Sequence, residues 1–267
     1  MSDVVRGEML AESVYTWAQT LLGNNLVGVY FHGSMRLGGF NWDRSDADFI
    51  IVVLEKLSGD IKMRLWSEIL SHEDEFPAKG FEFSVVLLKD CKDFKYPTPY
   101  ELHGSRDWIG TFRNNSEKLI NDDEKVDYDL ASHFGVIRSR RALKLDFGAP
   151  TEAVFGPVPM ADILDSNWRD IQDAELDIVK NPMYVTLNLC RFIALAKDGK
   201  ILSKEEGAEW IDPSEIGVDE KIIGAALDEY RGGAAMDFSD SELIDFAVDM
   251  LDEARRYYDP ETRDIDS

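Results

Sequence analysis

Cysteine, histidine and positive charge are all in short supply in this chain, and each shortage closes off a class of function. Two cysteines, Cys91 and Cys190, build neither a disulfide framework nor a cysteine-rich zinc site. Each lies in an apolar stretch and reads as a buried free thiol. Lys and Arg together number 29 against 52 Asp and Glu, a net charge of −23. A chain so short of cations has no basic face for a phosphate backbone, so nucleic acid is not an expected partner. An anionic membrane surface is disfavoured on the same ground. No apolar run approaches the roughly 18 residues that a membrane span needs. The opening MSDVVRGEML lacks the basic start and apolar core of a signal peptide. The expectation is a cytoplasmic protein, a monomer or weak dimer, that binds no membrane.

What is present suffices for a packed core. Hydrophobic residues make up 44% of the 267 and aromatics 11%. Ala11, Val14, Trp17, Ala18, Leu21 and Leu22 recur at helical spacing, and Gly23-Asn24-Asn25 stops that helix. Leu26 to Phe31 reads as a strand, 36–44 as a loop, and Asp48 to Leu54 as a strand covered on both faces. Ile61, Leu65 and Ile69 mark a helix, and Phe81 to Leu88 a third strand. A further helix is expected around Leu130–Leu143, and Gly148 to Pro159, with two Gly and three Pro, reads as a connector. Beyond it the pattern is helical. Met183 to Ala196 forms one helix, and a stripe from Leu243 to Tyr258 forms another behind a capping box at Ser239 and Glu242. The expected class is α+β: an N-terminal domain over 1–155, a mixed sheet with flanking helices, and an α-helical bundle over 156–267.

The chemistry gathers in the first domain. Gly33-Ser34 follows the first strand, and Asp46-Ala47-Asp48 opens the second. Residues two apart on a strand leave the same face, so the two carboxylates repel unless a cation intervenes. Glu82 sits inside the apolar third strand, where an unpartnered acid is costly. The economical arrangement places Glu82 beside Asp46 and Asp48 around one or two Mg²⁺ ions, with Gly33 and Ser34 offering close backbone approach and a hydroxyl to a triphosphate. This is a layout for phosphoryl or nucleotidyl transfer.

The ordered set VYFHGS (29–34), SDADFIIV (45–52) and FEFSVV (81–86) resembles the DNA polymerase β-like nucleotidyltransferase superfamily. Four longer stretches are similar to the aminoglycoside adenylyltransferases acting on streptomycin and spectinomycin: GSMRLGGFNWDRSDADF (33–49), KYPTPYELH (95–103), DYDLASHFGVIRSR (127–140) and NLCRFIALAKDGKILSKEEGAEW (188–210). The resemblance implies that 1–155 is a nucleotidyltransferase domain and that AMP passes from ATP to a hydroxyl of a small cationic acceptor, an aminoglycoside or aminocyclitol, with release of pyrophosphate. It implies that Asp46 and Asp48 hold Mg²⁺ with Glu82 as third acid and general base. It also implies that Ser34 and Ser45 touch the phosphates and that Arg191 and Lys204 reach them from the second domain. Read without the resemblance, Arg191 fits a salt bridge inside an apolar helix, and Lys204 a surface lysine at a helix start.

For the acceptor, the segment holding Glu101, His103, Asp107 and Trp108 offers carboxylates and a flat ring, with Trp108 either a stacking wall or a surface anchor. Streptomycin-modifying members carry a Trp and an Asp shortly before the helix with the Arg. Here Asn181-Pro182-Met183 stands there and Trp168 lies well upstream, which leans the acceptor towards spectinomycin. The alternatives are a non-antibiotic acceptor (a protein side chain or another small molecule) and a non-catalytic nucleotide-binding module; retention of all three acids speaks for turnover. His32 reads as a satisfied strand histidine, His133 as an i,i+4 partner of Asp129, and 122–124 as a solvated acidic loop. Arg138, Arg140 and Arg141 read as a basic cluster, pairing with acids or adding to the field around a nucleotide.

Overall fold

A computed structural model of the chain describes residues 1–120, 125–140 and 144–260. The acidic run 122–124 and Arg141 lie outside the described residues. The chain divides into two compact units, Met1–Val158 and Pro159–Ser267.

The first unit is built on strands β1 (Leu26–Phe31), β2 (Ala47–Val53), β3 (Phe81–Leu87), β5 (Leu102–Ser105) and β7 (Asp146–Gly148), in the order β5-β3-β2-β1-β7. Only β2 and β3 run parallel; the other neighbours are antiparallel. A parallel pair needs a crossover, and α3 (Gly59–Ser71) supplies it. Two further strands, β4 (Thr98–Tyr100) and β6 (Lys125–Asp127), pair as a separate ribbon.

Alternation along the strands gives the sheet two apolar faces. Val29, Phe31, Phe49, Ile51, Phe83 and Val85 pack with α1 (Asp3–Leu22) and α3, through Leu10, Val14, Trp17, Leu65 and Trp66. Tyr30, Ile50, Val52 and Val86 point the other way, against Leu130, Phe134 and Ile137 of α4 (Leu130–Ser139). Coverage on both faces explains why β2 reads as an unbroken apolar run.

The short helix α2 (Gly33–Leu37) occupies the turn after β1 and the start of the stretch expected as loop. Its buried Arg36 donates from the guanidinium to the carbonyls of Phe31, Ile137 and Arg140 and to Asp146, stapling the turn to α4 and β7. Arg138 and Arg140 also spend hydrogen bonds on carbonyls, those of Phe155 and Leu37. The expected connector is packed rather than free: Val154 and Phe155 are fully buried beside Tyr30 and Phe134. Helix α1 begins eight residues before its apolar stripe, capped by Ser2, because its first turns leave Val4, Val5 and Met9 exposed.

The second unit is helical. It contains α5 (Met160–Arg169), α6 (Pro182–Asp198), α7 (Lys204–Trp210), α8 (Glu220–Arg231) and α9 (Asp240–Arg255). Helix α6 is the central element and packs against α7, α8 and α9. Trp168, Phe192 and Tyr258 meet ring to ring at 5.5–5.9 Å, and the Tyr258 hydroxyl donates to Asp165. Tyr258 lies past the end of α9, so the expected stripe runs three residues beyond the last helix. Cys91 and Cys190 are buried free thiols, and burial pushes Cys190 up to about 12. Among the described residues no helix is long and apolar enough to cross a membrane.

Candidate active site

One end of the α4-facing side of the sheet carries the acids. The backbone N–H of His32 donates to the carbonyl of Asp48 at 2.9 Å, continuing the β1–β2 pairing one residue past the strand. The chain then turns at Gly33, with φ at +56°. A Cβ there would collide with the Asp48 carboxylate. Gly33 is therefore demanded twice, by its left-handed backbone and by the carboxylate lying against it. Ser34 follows, and its hydroxyl is buried with no hydrogen-bond partner among the described residues. A buried hydroxyl without a partner is an unmet acceptor and donor that a bound polar group can satisfy.

Asp48 pairs with Glu82 in the parallel register of β2 and β3. Residues opposite one another on adjacent strands share a face, about 4.8 Å apart at the backbone. Asp46 precedes β2 by one residue, and the Ala47 N–H bond to Gly80 O keeps the backbone extended there. All three acids are half-buried.

Among the described residues no three His, Cys, Asp or Glu side chains are gathered closely enough to hold an ion. The register joins Asp48 to Glu82, and Asp46 lies one residue before the strand. The donor chemistry still suits Mg²⁺, which takes one or two carboxylates and completes its shell with phosphate and water.

Ser45 is buried, and its hydroxyl accepts from the Asn41 N–H at 3.1 Å, closing the 41–45 loop. Glu101 has partners within the first unit. Its carboxylate accepts from the Leu57 N–H at 3.1 Å and lies 3.8 Å from the ammonium of buried Lys62, an ion pair that the spacing in sequence hides. Glu101 also lies at the far end of β3, its N–H bonded to Val85 O. Asp107 and Trp108 sit at the other end. They follow Ser105, which pairs with Glu82, and both are exposed, Trp108 to 40%.

Three of the four histidines converge on this face. The His32 and His133 rings stack at 4.2 Å, which reading His133 with Asp129 alone does not foresee. Burial, then the neighbouring His133 and Arg36, hold His32 well below the ordinary imidazole range. His103, facing Ser84, bonds its hydroxyl at 3.0 Å. No local pattern marks these contacts, because each joins elements distant in sequence.

In the second unit, Arg191 projects from α6. Its Nε donates to Leu202 O at 3.0 Å and a terminal nitrogen to Asn188 Oδ1 at 3.1 Å. Among the described residues no carboxylate lies within ion-pair distance of it, so the salt-bridge reading is set aside. Burial lowers the guanidinium's pKa, and Tyr184, Asp170 and Tyr230 act in the opposite direction. A half-buried cation hydrogen-bonded to neutral oxygens suits an incoming anion. Gly207 of α7 permits this packing, since a Cβ there would stand 2.8 Å from Arg191 Cγ. Lys204 opens α7 behind the Ser203–Glu206 capping box, with its ammonium 4.3 Å from the Tyr184 ring centre.

Comparison with known proteins supplies the context. Residues 153–253 match the family described as aminoglycoside adenylyltransferase, C-terminal domain. Spectinomycin 9-adenylyltransferases from Staphylococcus aureus strains Mu50 and N315 are each 25% identical over 244 residues, 87% of this chain and 89% of theirs. The crystal structure of spectinomycin adenyltransferase AAD(9) from Enterococcus faecialis, with ATP and spectinomycin, superimposes with a TM-score of 0.73. It is 18% identical, covering 93% of this chain and 98% of that one.

Proposed function

Taking the chain as a member of the aminoglycoside adenylyltransferase family, and so a nucleotidyltransferase, we propose that it transfers AMP from ATP to a hydroxyl of spectinomycin or a closely similar aminocyclitol. The observation that carries the reading is the Asp48–Glu82 pair in register beside the Gly33-Ser34 turn.

In this reading Glu82 takes the proton of the acceptor hydroxyl. That oxygen attacks the α-phosphorus, and the bond to the bridging oxygen of the β-phosphate breaks. Pyrophosphate leaves with the bonding electrons. Asp46 and Asp48, with Glu82, would hold Mg²⁺, which supplies charge neutralisation on the phosphates. Gly33 lets the phosphates approach the backbone, and the Ser34 hydroxyl gains the partner it lacks among the described residues. Ser45 contributes through its hydroxyl hydrogen. In the second unit Arg191 and Lys204 supply cationic groups for an anion. Asp107 offers a carboxylate to the ammonium groups of the acceptor, and the exposed Trp108 ring a flat wall for its fused rings.

Incubation of the purified protein with ATP, Mg²⁺ and either spectinomycin or streptomycin, followed by mass spectrometry, tests this. The expected result is a gain of one AMP on spectinomycin. A gain on neither drug overturns the acceptor, and transfer of label from ATP to a protein or another metabolite in a lysate would redirect the assignment.

A further inference from the structure

The ladder between β3 and β5 carries a second polar pair one same-face step inside Glu82 and Ser105: Ser84 opposite His103. His103 Nδ1 lies 3.0 Å from Ser84 Oγ. The His103 ring also meets two aromatic rings edge to face, Tyr100 at 6.0 Å and Trp108 at 6.4 Å, the latter nearly perpendicular at 88°. Burial lowers the pKa of His103, with Asp127 opposing and His133 reinforcing that shift, so the ring is held neutral beside its hydroxyl partner.

One same-face step along a strand is roughly 7 Å. Trp108 is therefore tied through His103 to a point one such step from Glu82. The Trp108 residue is 40% exposed and lies outside the buried core. Among the described residues its ring partner is His103, and His103 is anchored to the sheet through Ser84.

We propose that His103 is a positioning residue for acceptor recognition: anchored on Ser84, it fixes the Trp108 indole beside Glu82 and so sets the affinity for the aminocyclitol without touching it. This rests on the acceptor assignment made above, and it deepens that reading by naming what holds the wall.

The test combines steady-state kinetics with fluorine NMR of protein labelled with 5-fluorotryptophan, the Trp108 line being assigned by Trp108→Phe. His103→Ala is expected to raise the spectinomycin KM roughly two- to tenfold, the worth of an aromatic edge contact. The ATP KM and kcat should stay within about twofold, and the Trp108 line should shift or broaden. His103→Phe, which keeps a flat ring, is expected to recover much of the KM; Ser84→Ala should fall between. An unchanged spectinomycin KM, an equal loss in kcat, or an unmoved Trp108 line in His103→Ala overturns the proposal. If the wild-type protein adds no AMP to spectinomycin, the acceptor assignment falls, and an unmoved Trp108 line then shows separately that His103 does not hold the indole.

Discussion

At the scale of single residues, Glu82 and Gly33 carry sharply different expectations. Glu82→Gln removes the proton acceptor while keeping shape, so turnover should fall by roughly 10²–10⁴. ATP affinity by calorimetry should hold within a few-fold; turnover like wild type would remove the assigned role. Gly33→Ala attacks position instead. Its backbone at φ +56° and the adjoining Asp48 carboxylate both resist a Cβ. The variant should lose more than about 1 kcal/mol of stability in chemical denaturation and bind ATP weakly. The acids and the glycine were legible in the sequence because strand alternation and turn chemistry are local rules. The Glu101–Lys62 ion pair is not legible in the sequence because the two residues are distant in the chain and only the fold brings them to 3.8 Å. The His32–His133 stack escaped for the same reason.

At the scale of elements, long helices and buried strands announced themselves by period, whereas β4, β5, β6 and β7 did not. Runs of three or four residues carry too few alternations to be told from loop. Two capping boxes offer a matched experiment. Ser203 caps α7, whose first residue is Lys204, and Ser239 caps α9. Ser203→Ala and Ser239→Ala should each cost roughly 0.5–2 kcal/mol in thermal or denaturant melts. Only Ser203→Ala should also weaken ATP binding, because it loosens the turn that presents Lys204. Equal nucleotide affinity in both variants would make Ser203 a stability cap alone.

At the scale of the molecule, a charge of −23 over 267 residues is a self-repelling field. Salt screens it, with a Debye length near 3 Å at about 1 M. Melting temperature is therefore expected to climb as KCl rises from about 0.1 to 2 M. A flat or falling series would assign the acidity to solubility alone. Against that field Arg191 stands out, a half-buried guanidinium whose hydrogen bonds go to a carbonyl and an amide oxygen.

The register that seats Asp48 opposite Glu82 also phases Phe49 and Phe83 into the opposite, apolar side. Deleting one residue within either strand would invert that phase and bury a carboxylate among phenylalanines. The connection over residues 54–80 is bound differently: α3 within it must keep Leu65 and Trp66 on the sheet, a constraint of helical phase rather than of strand alternation.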